Sequence, residues 1–405
     1  MPSLPPEGDP APIDGALPQS ALAHLGQRPF GIYVHVPFCA TRCGYCDFNT
    51  YTAEELGGGA SRATYADQAV AEVRLARRVL GDVDLPVETV FVGGGTPTLL
   101  PPGDLGRILA AIRAEFGLAP GAEVTTEANP DSVTPGSLSA LREDGFTRMS
   151  FGLQSTAQHV LQVLERTHTP GRSVAAVGEA LAAGFEHVNV DLIYATPGET
   201  EADFAASLEA AIGSGADHVS AYSLIVEDGT RLAARVRRGE VPMVDDDVAA
   251  DRYAQADEAL AAAGFGWYEV SNWARPGGEC RHNLGYWRGD DWWGVGPGAH
   301  AHVGGVRWWN VRHPSAYAGR IAEGLSPAEA REVLSADDVR VEQVLLRVRL
   351  AEGLPLDDLD RHGRAVAVRA ASEGLADVNA LGRGRLVLTL RGRLLADALV
   401  RDLVG

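Results

Sequence analysis

Three cysteines carry the densest chemistry in the chain. Cys39, Cys43 and Cys46 stand in the segment HVPFCATRCGYCDFNT, a Cx3Cx2C spacing. Thiolates are soft ligands suited to zinc and to iron–sulfur clusters. Three thiolates on one loop can hold three irons of a four-iron cube. The fourth iron is then free for a substrate to chelate. A structural zinc ion, held by the same thiolates with His35 or a distant histidine, is the alternative. Zinc sites usually come as paired Cx2C knuckles, and no second pair follows. Cys280 stands alone, so the four cysteines are not a disulfide framework.

Other residues of chemical promise follow the cysteines. Tyr33 lies on the apolar run that leads into them, and Tyr45 precedes the last. The run GGGTPT, 93–98, holds Gly94, Gly95 and Thr96. Glycines without Cβ atoms let backbone groups approach a ligand closely. Glu127 in TTEANP, Gln154 in SFGLQS and Asp191 in VNVDLIY each fall at or near the end of an apolar run, and Arg166 stands in LERTHT. Polar groups repeated at strand C-termini face the mouth of a barrel, where they can bond an amine, a ribose or a carboxylate. Singly, each reads as a cap or a surface group. HNLGYW, 282–287, offers the His282 imidazole among aromatic rings. Its plainer reading is that His282 and Asn283 satisfy backbone groups while the tryptophans pack. Cys280 reads as an inert thiol or an axial ligand. His300 and His302, in GPGAHAHVGG, read as a structural loop, with a ligand-side role open.

The elements that must position these residues follow from periodicity. Short runs rich in Val, Ile and aromatics, at 31–36, 89–92, 124–127, 149–153, 188–193, 219–224 and 267–270, read as buried parallel strands. Helical patterns separate them, at 63–80, 102–116, 134–144, 173–183, 201–214 and 245–263, and several end in glycine. Such a βαβ series makes a barrel or a doubly wound sheet. A cysteine cluster, not GxGxxG, follows the first strand, which favours a full or partial (β/α) barrel with chemistry at the strand C-termini. Residues 1–28 read as a flexible Pro/Gly-rich tail and 29–270 as the barrel. Residues 271–313 read as a connecting Trp/Gly-rich segment rather than a helix. Residues 314–405 read as a smaller α+β domain of winged-helix type, with a strand over 385–390 and a last helix over 394–403.

Composition bounds the function. The chain has 405 residues, 45% hydrophobic and 22% charged, enough for a sizeable core. It carries 54 acidic against 35 basic residues, a net charge of −19, and every basic residue is Arg. The acidity argues against general binding to nucleic acid or anionic membranes. The absence of Lys removes Schiff-base chemistry and a P-loop lysine. No apolar run approaches the roughly 20 residues of a membrane span. The first residues lack a basic n-region and an apolar h-region, so the reading is cytoplasmic.

The segments HVPFC–ATRC–GYCDF, VFVGGGTPTLL, TTEANP, SFGLQS, DLIYATPGET and HNLGYW resemble the HemW-type heme chaperones. These are HemN-like radical S-adenosylmethionine (SAM) proteins, related to the oxygen-independent coproporphyrinogen III oxidase. The resemblance runs from about residue 31 to about residue 309 and continues more loosely to the end. It implies an α/β fold, a partial (β/α)6 TIM-type barrel with a smaller C-terminal domain. It implies a [4Fe–4S] cluster on Cys39, Cys43 and Cys46. It implies SAM contacts at Tyr33, Tyr45, Gly94, Gly95, Thr96, Glu127, Gln154, Arg166 and Asp191. It implies heme at HNxxYW, with His282 helping to hold it, an electron donor for the cluster, and an acceptor hemoprotein of the respiratory chain. A homodimer is compatible with it. The oxidase motif resembles CxxxCxxCxC, and Phe48 stands where its fourth cysteine would be. The oxidase also carries an N-terminal extension that is replaced here by a Pro-rich tail. Both departures favour the chaperone group over an oxidase-like enzyme that makes a 5′-deoxyadenosyl radical in porphyrin biosynthesis, but they leave SAM cleavage open. Ala195 and Thr196, where the family more often has Gly-Leu, leave the turn after DLIY less certain.

Overall fold

Runs such as FGIYVHV are apolar on both sides of an extended chain, which suits strands covered on both faces. A computed structural model describes residues 8–56, 60–167 and 169–405. A two-residue strand β1, Asp9–Pro10, precedes the main series. That series is β2 Phe30–Val36, β3 Val87–Gly94, β4 Leu118–Ala128, β5 Arg148–Gln154, β6 His187–Tyr194 and β7 His218–Ser223. All six lie side by side in chain order and parallel. Helices Arg62–Leu80, Asp104–Phe116, Pro135–Asp144, Arg172–Ala182 and Glu201–Gly213 connect them, and Asp246–Ala262 follows β7. This is the expected partial (β/α)6 barrel.

The sheet extends beyond both edges. β8, Gly266–Glu269, and β9, Asn272–Ala274, form an antiparallel pair against β7. The expected strand over 267–270 is therefore antiparallel. β10, Asp291–Val295, runs parallel beside β2. β11, His300–Val303, β12, Val306–Asn310, and β13, Ala328–Val333, follow as antiparallel neighbours. The segment over 271–313 is thus part of the barrel sheet rather than a connector. It also contains a helix, Arg281–Arg288, where no helix was expected. The local reason is the fourfold spacing of His282 and Tyr286, which face one another at 2.8 Å (Nε2 to hydroxyl).

The expected flexible tail divides. Residues 1–7 lie outside the described residues. Residues 8–28 are not loose: β1 pairs with β13, Ala21 is fully buried, and Leu17, Leu22 and Leu25 lie against the core. A Pro-rich extended segment can still cover a sheet edge when apolar residues recur along it. Gly304 makes room, since a Cβ there would stand 2.3 Å from the Ala21 carbonyl oxygen.

The C-terminal part has its own core, built from Val344, Val348, Leu354, Leu386, Leu399 and Leu403. Its helices Ala336–Arg347, Arg361–Ser372 and Ala396–Val404 surround a two-stranded sheet of β14, Leu354–Pro355, and β15, Arg385–Leu386. It is a small α+β unit, with a shorter strand than 385–390. Arg393 fastens it to the barrel. The guanidinium donates to both Asp257 oxygens, at 2.8 and 2.7 Å, and lies 4.3 Å over the Trp267 ring.

Removing residues 8–28, with whatever precedes them, uncovers apolar surface on the sheet edge. The unfolding free energy in urea should fall by about 3 kcal/mol, the worth of uncovering roughly two leucine side chains. A truncated chain as stable as the full one would show that the segment is not held.

Candidate cluster and cofactor site

The loop after β2 carries the cysteines across the C-terminal end of the barrel. Its base is closed by backbone bonds: the Cys39 amide donates to the Tyr51 carbonyl at 3.1 Å, and the Tyr51 amide to the Pro37 carbonyl at 2.7 Å. At the tip, the Gly44 amide donates to the Leu164 carbonyl at 3.1 Å, and its carbonyl accepts from the Leu232 amide at 2.9 Å. The end of β3 runs beneath. Gly95 and Thr96 amides donate to Val36 and Phe38 carbonyls, both at 2.8 Å. A Cβ on Gly95 would stand 2.4 Å from the Phe38 carbonyl oxygen and 3.1 Å from the Cys39 sulfur. Only glycine permits that approach.

Cys39, Cys43 and Cys46 open on one cavity of about 440 Å³. Tyr45 lines it from the same loop, and Gly94, Gly95 and Thr96 line it from the end of β3. Glu127, Gln154 and Asp191 reach it from β4, β5 and β6, and Arg166 from the segment after β5. Arg166 Nη1 donates to the Cys43 sulfur at 3.5 Å, while its buried Nε has no partner among the described residues. Tyr33 is not on this cavity. It lines an adjoining one and gives its hydroxyl to His35, 2.9 Å from Nδ1.

Burial raises the Cys39 thiol and pushes Cys46 up to about 11, so any soft cation loaded here must displace protons. Among the described residues no three His, Cys, Asp or Glu side chains converge as a single-ion site. His35 cannot complete a zinc site as it stands. Both ring nitrogens are bonded, Nδ1 to Tyr33 and Nε2 to the Asn49 carbonyl at 2.9 Å. Burial holds its pKa down to about 4, so the ring is neutral.

The deeper wall is acidic. Glu127 accepts the Gly94 amide at 3.0 Å; burial first, then the charge of Asp191, pushes it up to about 8. Burial also raises Asp191, against bonds from Asn189 at 2.7 Å and Ser150 at 3.1 Å. Arg166 Nη2 and Gln154 Nε2 occupy the space over Gly152, where a Cβ would stand 2.7 and 2.6 Å from them. Two half-buried carboxyls opposite a guanidinium suit a zwitterionic amino acid, with hydroxyls alongside. The donor set and the glycine cradle therefore fit SAM, and the thiols fit iron–sulfur chemistry.

Strain gathers at the same rim. Gln154, Glu165 and Ala195 have φ of 63°, 52° and 59°, and are the non-glycine residues with positive φ among those described. Such a backbone costs on the order of 1–2 kcal/mol per residue and persists where the surroundings enforce it. At β5 the register against β6 shifts between Gly152 and Gln154, where the strand reaches the cavity. Ala195 adopts the conformation that glycine would take freely at the position where the family more often has Gly.

His282 lies elsewhere, at the opposite end of the barrel. It is 3% exposed, with Nδ1 bonded to Thr89 Oγ1 at 2.8 Å and Nε2 to Tyr286 at 2.8 Å, and it stacks on Phe91. Burial takes its pKa down to about 3. As an iron ligand it would have to give up one of these bonds. Glu123 caps its helix, accepting the Arg281 and His282 amides at 3.1 and 3.0 Å. Cys280 is buried and donates to Glu123 at 3.6 Å. The HNxxYW helix thus plugs the barrel floor.

Sequence reasoning missed Ser150 and Asn189, which hold Asp191, and Gly152, which makes room for Arg166. The alternation in RMSFGLQ, which puts Ser150, Gly152 and Gln154 on one face, was the available signal. The raised pKa of Glu127 carries a test. A carboxyl whose folded pKa exceeds its unfolded value contributes stability below the unfolded pKa, and loses it as pH rises through the folded one. Glu127→Gln should therefore raise the thermal midpoint of the metal-free protein at about pH 9, and the gain should vanish near pH 5. A gain independent of pH would mean that the carboxyl is ionised in the fold throughout.

The chain matches the Radical SAM superfamily over residues 33–211. It is 55% identical, over 386 residues, to the protein named heme chaperone HemW of Mycobacterium tuberculosis, covering 95% of this chain and 97% of that one. It is 34% identical to heme chaperone HemW of Escherichia coli, covering 81% and 84%. Its fold is similar to that of coproporphyrinogen III oxidase (HemN) from Escherichia coli, with a TM-score of 0.81 at 23% identity and coverage of 97% and 94%. With 55% identity to one heme chaperone HemW over 95% of its length and the Radical SAM match over 33–211, the chain belongs to the HemW family of radical SAM proteins.

Proposed function

We propose that the chain is a heme chaperone. It carries a [4Fe–4S] cluster on Cys39, Cys43 and Cys46, holds SAM beside it, binds heme and passes it to acceptor hemoproteins. The observation that carries this reading is the 55% identity to a named heme chaperone over 95% of the chain, with the three thiols on one cavity. Cys39, Cys43 and Cys46 would hold such a cluster, and when bound it would supply the electron for reductive chemistry on SAM.

The chain's own residues do the holding. Arg166 faces the carboxylate of the amino-acid moiety, and its Nε, without a partner among the described residues, supplies a further donor. Glu127 and Asp191 take the amine and the ribose hydroxyls, and the positive amine offsets the burial that disfavours their ionised forms. The backbone at Gly94 and Gly95 lets the chain of the amino acid lie flat on β3. Gln154 and Thr96 close the sides, and Tyr45 covers the cavity from the cysteine loop. Tyr33 acts one step back, by fixing His35. The electron donor and the acceptor hemoprotein are separate proteins. Phe48 supports the chaperone reading over an oxidase: its ring is 61% exposed at the cavity edge and offers apolar surface, not a fourth thiol.

The test is anaerobic reconstitution with iron and sulfide, then titration with SAM and hemin. The wild type should take up about four irons per chain, bind SAM and bind hemin saturably. Cys43→Ser should lose most of the iron and the SAM binding. A wild-type protein that takes up no iron and no SAM, or one that turns over coproporphyrinogen III without binding hemin, would overturn the reading.

A further inference from the structure

A second cavity of about 370 Å³ adjoins the cluster cavity and shares Asp47, Phe48, Gly94 and Glu127 with it. Its size falls within the roughly 300–1,000 Å³ of small-molecule sites. The β11–β12 hairpin forms its outer wall. There His300 and Trp309 are cross-strand partners, with ring centroids 5.9 Å apart and planes 30° from each other. Phe48, Phe91 and Tyr33 add aromatic surface from the other side. The lining therefore presents aromatic faces from both sides, with the His300 imidazole and the Arg312 guanidinium at its edge and the Asp47 and Glu127 carboxyls on the wall shared with the cluster cavity.

The imidazole and the guanidinium are exposed at the cavity edge and have no side-chain hydrogen-bond or ion-pair partner among the described residues. His35, His218 and His282 have both ring nitrogens bonded. His302 bonds the Asp290 carbonyl through Nδ1 at 3.2 Å and does not line this cavity. Neither ring nitrogen of His300 has a hydrogen-bond or ion-pair partner among the described residues; only its backbone carbonyl accepts, from Trp292 Nε1 at 3.1 Å. Arg312 lines the same cavity, and its guanidinium has no ion pair among the described residues. Its carbonyl, by contrast, is fixed by Asn49 at 2.8 Å and Tyr51 at 3.3 Å. The backbone is held and the charged end is left free.

We propose that heme seats in this cavity, with His300 as an axial ligand of its iron and Arg312 on a propionate. The proposal rests on the heme-chaperone reading above and names the place where the cargo sits. Neutral imidazole is a common heme ligand, and a guanidinium pairs with carboxylates in a fork geometry. Trp309 and Phe48 supply aromatic surface for the macrocycle. The shared wall brings the cargo against the cluster cavity, with Phe48 between them. The HNxxYW helix then serves the barrel floor and does not touch the iron.

Full-length, cluster-loaded protein is titrated anaerobically with hemin and followed by the Soret band and by electron paramagnetic resonance. His300→Ala should weaken binding by about ten-fold or more and lose the histidine-ligated signature, and added imidazole should restore that signature. Arg312→Gln should weaken binding and leave the signature unchanged. His282→Asn, once circular dichroism shows it folded, should keep both; where it does not fold, the His300 variant decides alone. His300→Ala with wild-type affinity and spectrum would overturn this seat while leaving the chaperone reading intact. A wild type with no saturable binding would overturn both.

Discussion

Asn49 is the joint on which the mouth of the barrel depends. Its side-chain amide donates to the Pro297 carbonyl at 2.9 Å and the Arg312 carbonyl at 2.8 Å, and its own carbonyl bonds His35 Nε2 at 2.9 Å. A carbonyl can only accept, so His35 carries its proton on Nε2 and takes the Tyr33 hydroxyl at Nδ1. One residue thus ties β2, the cysteine loop, the turn at 296–298 and the end of β12 together. Gly298 leaves the room, since a Cβ there would stand 2.5 Å from Asn49 Nδ2. Glu72 secures the far side of the same turn. It is buried and accepts from the Gly296 amide at 2.7 Å, Asn310 at 2.7 Å and Tyr317 at 2.6 Å. Burial pushes it up to about 7 despite these bonds. The loop and the hairpin are consequently positioned by the protein itself.

The two ends of the barrel have different physics. The floor is closed by a capped helix whose histidine is neutral, buried and fully bonded. Such groups contribute uniqueness and stability. Among the described residues the mouth holds raised carboxyls, an unpartnered guanidinium nitrogen, strained backbone at Gln154 and Ala195, and an imidazole with free nitrogens. The raised carboxyls, the buried guanidinium nitrogen and the strained backbone are unfavourable in isolation and become favourable when a ligand satisfies them, while the exposed His300 ring is solvated until one binds. Stability is concentrated at one end and binding capacity at the other, as in barrels generally.

Much of this was legible in the residues. Each barrel strand from β2 to β7 announced itself by an apolar run, and the helices between them by their period, several with a closing glycine. The cysteine spacing, the GGGTPT run and the polar residues at strand ends marked most of the cluster cavity. The less legible parts share a cause: they depend on contacts between distant segments. Nothing local in the Pro-rich start shows that Ala21 meets Gly304. Nothing in HNLGYW shows that Thr89 will take one nitrogen of His282 and leave it poorly placed to meet iron. His300 read as a loop residue because its neighbour across the hairpin is not its neighbour in sequence. β10 was hidden because its partner, β2, lies at the other end of the barrel series.

The central claim is that the cysteine loop is folded before any metal binds, because Asn49 and the backbone bonds at Cys39, Gly44 and Tyr51 hold it. Hydrogen exchange followed by mass spectrometry on the metal-free protein tests this most directly. Peptides covering the loop should be protected well beyond the rate of an unstructured chain, and Asn49→Ala should release them while the barrel strands stay protected. Loop amides that exchange as in an unfolded peptide until iron and sulfide are added would contradict the account, because the metal would then be what orders the loop.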